Sequence, residues 1–197
     1  MPKINMDEYN AAEVSAGGGD YQRMGAGGYV VRCQAVRTKG TDYGRTVDFI
    51  AEKQYVKLIY DIAEGSLAGK FSDDYWAGEE KDWGHQFYLS WKNMGALKNA
   101  IQCLDESNPG FDAMAAFQAD NWDMFIGKQF GIVVGEEEYL GNDGTVKTRL
   151  TFPRIKSVQD IRDGRFKVPE KKTLAPSEAA PAQAEAAPSV YDDSLPF

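Results

Sequence analysis

Two groups of short segments with period-two alternation, separated by one helical stretch, constrain the fold of this 197-residue chain more than any other feature. In residues 29–37, Tyr29, Val31, Cys33 and Ala35 alternate on one face of a predicted strand. Residues 38–44 read as a turn or hairpin loop, and strand-forming residues resume at 46–50 and 54–62. Within 54–62, Val56, Leu58, Tyr60 and Ile62 form an inward set, leaving Tyr55, Lys57 and Ile59 on the opposite face. A long loop over 64–82 precedes a further strand at 84–91. Asn93 then suits the N-cap of a helix from Met94 to about Glu106, since Leu97, Ala100, Ile101 and Leu104 recur on one side. Asn108-Pro109-Gly110 stops that helix, and a shorter one is expected over 112–119. Strands at 128–136 and 145–152 follow, joined by Gly141-Asn142-Asp143-Gly144, whose Asn/Asp-Gly content tolerates the positive φ of a tight hairpin. Phe87, Leu89, Trp91, Phe130 and Phe152 are expected to pack in the core.

The resulting order, β-β-β-α-β-β with inserted helices, predicts a mainly β domain. It is the order of the five-stranded Greek-key barrel of the OB-fold, which leaves one face and its loops for ligands. A different small α+β sheet gives the same order. Residues 28–172 are expected to form this domain, behind a flexible lead-in over 1–27 that is rich in small and polar residues. The lead-in glycines follow no strand and precede no Gly-Lys-Ser/Thr, so they do not form a phosphate-binding loop. Residues 173–190, an Ala/Pro-rich stretch, bury too little apolar surface to fold and read as a disordered linker spanning roughly 25 Å as a flexible coil.

Composition narrows the function classes. Cys33 and Cys103 are the two cysteines and His85 the single histidine, with no CxxC, which argues against a disulfide framework or a zinc site and for reduced core thiols. No apolar run approaches the roughly 18 residues of a membrane span. Residues 1–5 lead into no apolar segment, so no secretory signal is expected and a cytoplasmic location is. The acids Asp73, Asp74, Glu79, Glu80 and Asp82 crowd a Gly-containing loop, unlike the rigid convergence a metal nuclease needs, and His85 has no defined nucleophile partner. Neither a catalytic residue nor a cofactor is expected. The chain carries 22 Lys and Arg against 30 Asp and Glu, a net −8. Four acids and no bases lie beyond Lys172, so half of that charge belongs to the tail. Between Lys147 and Lys172, nine basic residues meet three acids, a local excess able to line a groove.

The last seven residues, 191–197, set two carboxylates before an apolar Leu-Pro-Phe that ends on the free α-carboxylate. A free terminal Phe forfeits the roughly 1.5–3 kcal/mol of burial that a pocket on a partner recovers. Asp192-Asp193-Ser194-Leu195-Pro196-Phe197 resembles the acidic C-terminal tip of bacterial single-stranded DNA-binding proteins, with Ser194 where the family pattern has a third acid. The run Tyr55–Gly65 and the later Ile126-Gly127-Lys128 resemble phage-encoded proteins of the same kind. The resemblance implies a protein that binds single-stranded DNA during phage replication, recombination or repair in the host cytoplasm. It further implies recruitment of partner enzymes through Asp192, Asp193, Leu195, Pro196 and Phe197.

Sequence-tolerant binding of a single strand needs aromatic faces for bases and cations for phosphates. Tyr43, Tyr55, Tyr75, Trp76, Trp83 and Tyr139 are the stacking candidates, and Arg32, Arg37, Lys39, Arg45, Lys57, Lys147, Arg149, Arg154 and Lys156 the phosphate candidates. A replication adaptor that carries the tip but does not grip DNA is the alternative, motivated by the domain's own negative charge. Barrels of this kind work as monomers or as homo-oligomers, and no membrane partner is expected.

Overall fold

The computed structural model describes residues 24–42, 44–69 and 85–174. They form a mainly β domain with a few helices, built on a curled five-stranded antiparallel sheet in the order β5-β4-β1-β6-β9. The strands of this sheet are β1 (Gly27–Arg37), β4 (Tyr55–Ile62), β5 (Gln86–Ser90), β6 (Gln129–Val134) and β9 (Arg154–Lys156). Two hairpins stand off it, β2 (Lys39–Asp42) with β3 (Arg45–Asp48), and β7 (Glu136–Leu140) with β8 (Val146–Leu150).

The inner face of the curl holds the core. Val31 and Cys33 of β1, Val56, Leu58, Tyr60 and Ile62 of β4, Phe87 and Leu89 of β5, Phe130, Ile132 and Val134 of β6, and Ile155 of β9 are all buried there. Phe130 sits at its centre, with Tyr60 and Phe87 rings 6.1 and 5.8 Å away. Helix α1 (Met94–Ser107) closes the open side of the curl, touching β5, β6 and β9, with Leu97, Ala100, Ile101, Cys103 and Leu104 buried. Asn93 caps it as the sequence predicts, its Oδ1 accepting from Ala96 N at 3.1 Å. At the other end, Asn108 ties the helix to the sheet. Its Nδ2 donates to Leu104 O and Gln129 O, and its Oδ1 accepts from Gln129 N. Helix α2 (Ala113–Gln118) and the single turn Trp122–Phe125 complete this layer, linked by edge-to-face contacts among Phe117, Trp122, Phe111 and Phe125. Both cysteines are free and buried, and no described helix is long and apolar enough to cross a membrane.

Several elements differ from the sequence expectation. The strand expected over 46–50 ends at Asp48, whose side chain accepts from Ile50 N and Ala51 N and so caps a wide helical turn, Phe49–Lys53. The strand expected over 128–136 breaks at Gly135, which packs against Pro169, and the chain then turns into β7. Strand β9 and helix α3 (Val158–Arg162) arise where no element is expected. Helix α3 packs on the outer face of β6 and β1, so close that a Cβ on Gly131 would lie 2.4 Å from Ile161 Cγ1. Ala35 is not on the face of Tyr29, Val31 and Cys33, because a β-bulge between Cys33 and Ala35 shifts the register. Phe152, expected in the core, is 76% exposed.

Candidate nucleic-acid interface

The outer face of β4 and β5 carries a row of aromatic rings that begins in the first hairpin and ends beside the second. Alternation along β4 sends Val56 and Leu58 inward and therefore Tyr55 and Lys57 outward. The same rule on β5 sends Phe87 and Leu89 inward and Tyr88 outward, directly across from Lys57. Tyr55 and Tyr88 meet edge to face at 4.8 Å, and Phe49, just after β3, stacks on Tyr55 at 5.2 Å. Phe152, two residues before β9, reaches Tyr88 at 5.7 Å from the opposite edge of the sheet. The curl thus brings the approach to β9 close to β5, although no ladder joins these two strands among the described residues. Phe49 is the buried anchor of the row, Tyr55 and Tyr88 are half-buried, and Phe152 is open.

Cations lie on the same face. Lys57 is 8% exposed, with Nζ 4.5 Å from the Phe49 centroid, so its charge is held under the row by the ring's electron-rich face and not presented to solvent. Arg37 lies directly across from Lys57 on β1. Arg154 and Lys156 follow Phe152 at two-residue intervals, with Ile155 buried between them, and neither has an ion pair among the described residues. Arg32 is exposed farther along β1, opposite Asp61.

The hairpin candidates are arranged differently. In β2–β3, Lys39 pairs with Asp48 at 3.7 Å and Arg45 with Glu52 at 2.8 Å. In β7–β8, Lys147 pairs with Asp143 at 2.8 Å and Arg149 with Glu137 at 2.7 Å, while the Arg149 guanidinium also lies 5.1 Å from the Tyr139 centroid. Two of these carboxylates, Glu52 and Asp143, are held ionised. The backbone N–H of Asp48 and then the Arg45 guanidinium lower the Glu52 pKa, and Lys147 with Thr145 pulls Asp143 down to about 2. Most of the basic stretch from Lys147 to Lys172 is likewise paired: Arg162 with Glu64, Arg165 with Asp160 and Asp163, Lys167 with Glu170 and Lys171 with Glu138. Counting charge along the chain overstated this region, since Glu64, Glu137, Glu138 and Asp143 come from outside the stretch.

Of the candidates from sequence, Arg37, Tyr55 and Lys57 are brought together, with Arg154 and Lys156 continuing the line of Phe152. Lys39, Arg45, Tyr139, Lys147 and Arg149 stand on the flanking hairpins. Arg32 is apart. Tyr43, Tyr75, Trp76, Trp83 and the tip residues Asp192, Asp193, Leu195, Pro196 and Phe197 lie outside the described residues. Phe49, Tyr88 and Phe152 were missed. The alternation that buries Phe87 and Leu89 already implied an outward Tyr88, whereas only the curl of the sheet reveals Phe152. The chain matches no protein-family model and none of the curated proteins.

Proposed function

We propose that this protein is a non-enzymatic binder of single-stranded DNA, without strong sequence preference, and that the strand lies on the outer face of β4 and β5. The observation that carries the reading is the row Phe49–Tyr55–Tyr88–Phe152, with Arg154 and Lys156 at its open end. Rings on one surface with cations beside them suit sequence-tolerant stacking of successive bases, because every base has a π-face.

The OB-fold is the architecture this reading favours. The order β5-β4-β1-β6-β9, with α1 between β5 and β6, is that of a five-stranded Greek-key barrel opened along one seam, and the Phe152–Tyr88 contact spans that seam. Hairpins β2–β3 and β7–β8 then occupy the positions of the two loops that flank the oligonucleotide face in such barrels. Lys172 bridges Glu136 and Glu138 of β7, its N–H donating to Glu136 O while its own O accepts from Glu138 N. The linker therefore leaves the domain beside the second hairpin. Its tip, Asp192 to Phe197, would recruit replication or recombination enzymes close to bound DNA at high effective concentration. Ion pairing of the hairpin cations favours the alternative, an adaptor that engages a partner without gripping DNA.

Titration with oligo-dT at two salt concentrations, followed by tryptophan fluorescence, separates the readings. Quenching that weakens with salt supports the DNA binder. Absence of binding leaves the adaptor, and metal-dependent cleavage of the oligonucleotide would point to an enzyme. Deleting Asp192–Phe197 should leave or strengthen DNA affinity while abolishing capture of partner enzymes.

A further inference from the structure

The proposal that follows rests on the single-strand reading above and concerns what keeps that surface from gripping duplex DNA. Arg45, Lys147 and Arg149, exposed cations of the two hairpins that flank the aromatic row, each hold a nearby carboxylate, Glu52 of the turn after β3 and Asp143 and Glu137 of the second hairpin, at 2.7–2.8 Å. Two of these carboxylates are fixed by backbone as well as by the cation. Glu52 Oε1 accepts from Asp48 N, and Asp143 Oδ1 accepts from Thr145 N and Oγ1. Glu137 is directly across the ladder from Arg149, so the hairpin backbone keeps its carboxylate within reach of that guanidinium.

We propose that Glu52, Glu137 and Asp143 set the selectivity of the interface for single strands by withholding these cations from phosphate. An exposed ion pair is weak enough for a phosphate to displace the carboxylate. Here the displaced carboxylate stays anchored within a few ångströms and repels the incoming phosphate. Duplex DNA hides its bases in the stack, so its affinity for a surface like this comes almost wholly from phosphate contacts and counterion release. A single strand offers base faces to Tyr55, Tyr88 and Phe152, and that contribution is indifferent to the carboxylates. The same three acids therefore cost duplex binding more than single-strand binding, and the domain's negative balance acts as a filter.

The test compares the full-length protein with the triple variant Glu52→Gln/Glu137→Gln/Asp143→Asn and with a control triple, Glu106→Gln/Asp120→Asn/Asp123→Asn, of equal net charge but holding no cation in an ion pair among the described residues. Dissociation constants are measured for oligo-dT and for a duplex of the same length between 50 and 200 mM salt, a range over which phosphate contacts change affinity strongly. Retained melting temperature confirms that each variant folds. The hairpin variant should bind duplex roughly tenfold more tightly, with a log–log salt slope steeper by about 0.9 per freed cation, and oligo-dT only a few-fold more tightly. Its preference for single strands then falls at least about threefold, on the same counterion-release argument, while the control keeps the native preference. Equal changes in the two triples, or an unchanged preference in the hairpin variant, overturn the proposal while leaving single-strand binding intact. Failure of the native protein to bind oligo-dT removes the reading beneath it, and the proposal with it.

Discussion

Truncating Phe152 to alanine separates two uses of an aromatic ring by the size of two effects. Since the residue is 76% exposed, only about a quarter of its surface is covered, and its ring meets that of Tyr88. Full burial of a Phe is worth roughly 1.5–3 kcal/mol, so a quarter of it is worth about 0.5 kcal/mol. The edge-to-face contact with Tyr88 adds about 0.5 kcal/mol, the lower end for aromatic pairs because the ring is in water. A loss of about 1 kcal/mol should lower the melting temperature of a domain this size by about 2–4 °C. Binding should suffer more. Loss of one stacking platform costs roughly 1–3 kcal/mol per base, which is about a 5- to 150-fold weaker Kd for oligo-dT. The salt slope should not move, because no charge is removed. Thermal melting by circular dichroism and anisotropy of a labelled oligo-dT at two salt concentrations provide both readouts. Phe130→Ala calibrates the stability scale: that ring is fully buried and its loss should cost about 3–5 kcal/mol. Unchanged affinity in Phe152→Ala refutes the stacking row, and a melting loss as large as that of Phe130→Ala returns Phe152 to the core.

Other expectations follow from local geometry. Gly131→Ala should destabilise by about 1–3 kcal/mol, because the new Cβ meets Ile161 Cγ1 at 2.4 Å and the Ser157 carbonyl at 2.7 Å, so α3 must lift from the sheet. At Gly28→Ala the nearest atoms are those of the Phe166 side chain, not backbone, and the change should cost less; urea midpoints of the two variants decide the order. Asn108→Ala should lose about 2–4 kcal/mol by chemical denaturation, since it strips partners from both N–H and C=O of Gln129 and from Leu104 O. Asp143 titrates lower in the folded protein, at about 2, than its ordinary value of 3.8. Its stabilising contact with Lys147 and Thr145 is therefore complete above about pH 4 and is lost as pH falls through about 2. Carboxyl NMR titration checks this, and a midpoint near 4 would refute the ordered turn.

The interior was legible because the signals that encode it are local. Val56, Leu58, Tyr60 and Ile62 alternate without interruption, Asn93 precedes a run with helical spacing, and Asn142-Asp143-Gly144 ends in a residue whose φ of 72° favours glycine. The site was legible only in part, because its members meet through pairings remote in sequence. Tyr88 and Phe152 are 64 positions apart, and nothing local to Phe152 distinguishes it from the buried Phe130. The ion pairs hide for the same reason. Arg162 reaches Glu64 and Lys171 reaches Glu138 across the fold, so a window of sequence shows the cations and omits the acids that meet them. Short elements failed for a further reason: α3 is five residues long and rests on packing against Gly131 more than on any propensity of its own.

One irregularity in β1 decides whether its two arginines act on one surface. Under strict alternation Arg32 and Arg37, five residues apart, point to opposite faces, and Arg37 would share the core side with Val31 and Cys33. The ladder with β4 shows otherwise. Cys33 opposes the inward Tyr60, but Ala35 opposes Ile59, Val36 opposes the inward Leu58, and Arg37 opposes Lys57. The extra residue at Gln34 reverses the parity of everything after it, so Val36 turns in to pack against the core and Arg37 turns out beside Lys57. Arg32, opposite Asp61, already lies outward. Without the bulge, either Arg37 would be driven into an apolar interior or the register with β4 would slip and turn Leu58 to solvent. With it, one strand supplies an arginine to the face at its middle and at its end while Val31, Cys33 and Val36 serve the core. The place of Arg37 on the outer face is therefore a consequence of one inserted residue, which the alternation of side chains alone does not disclose.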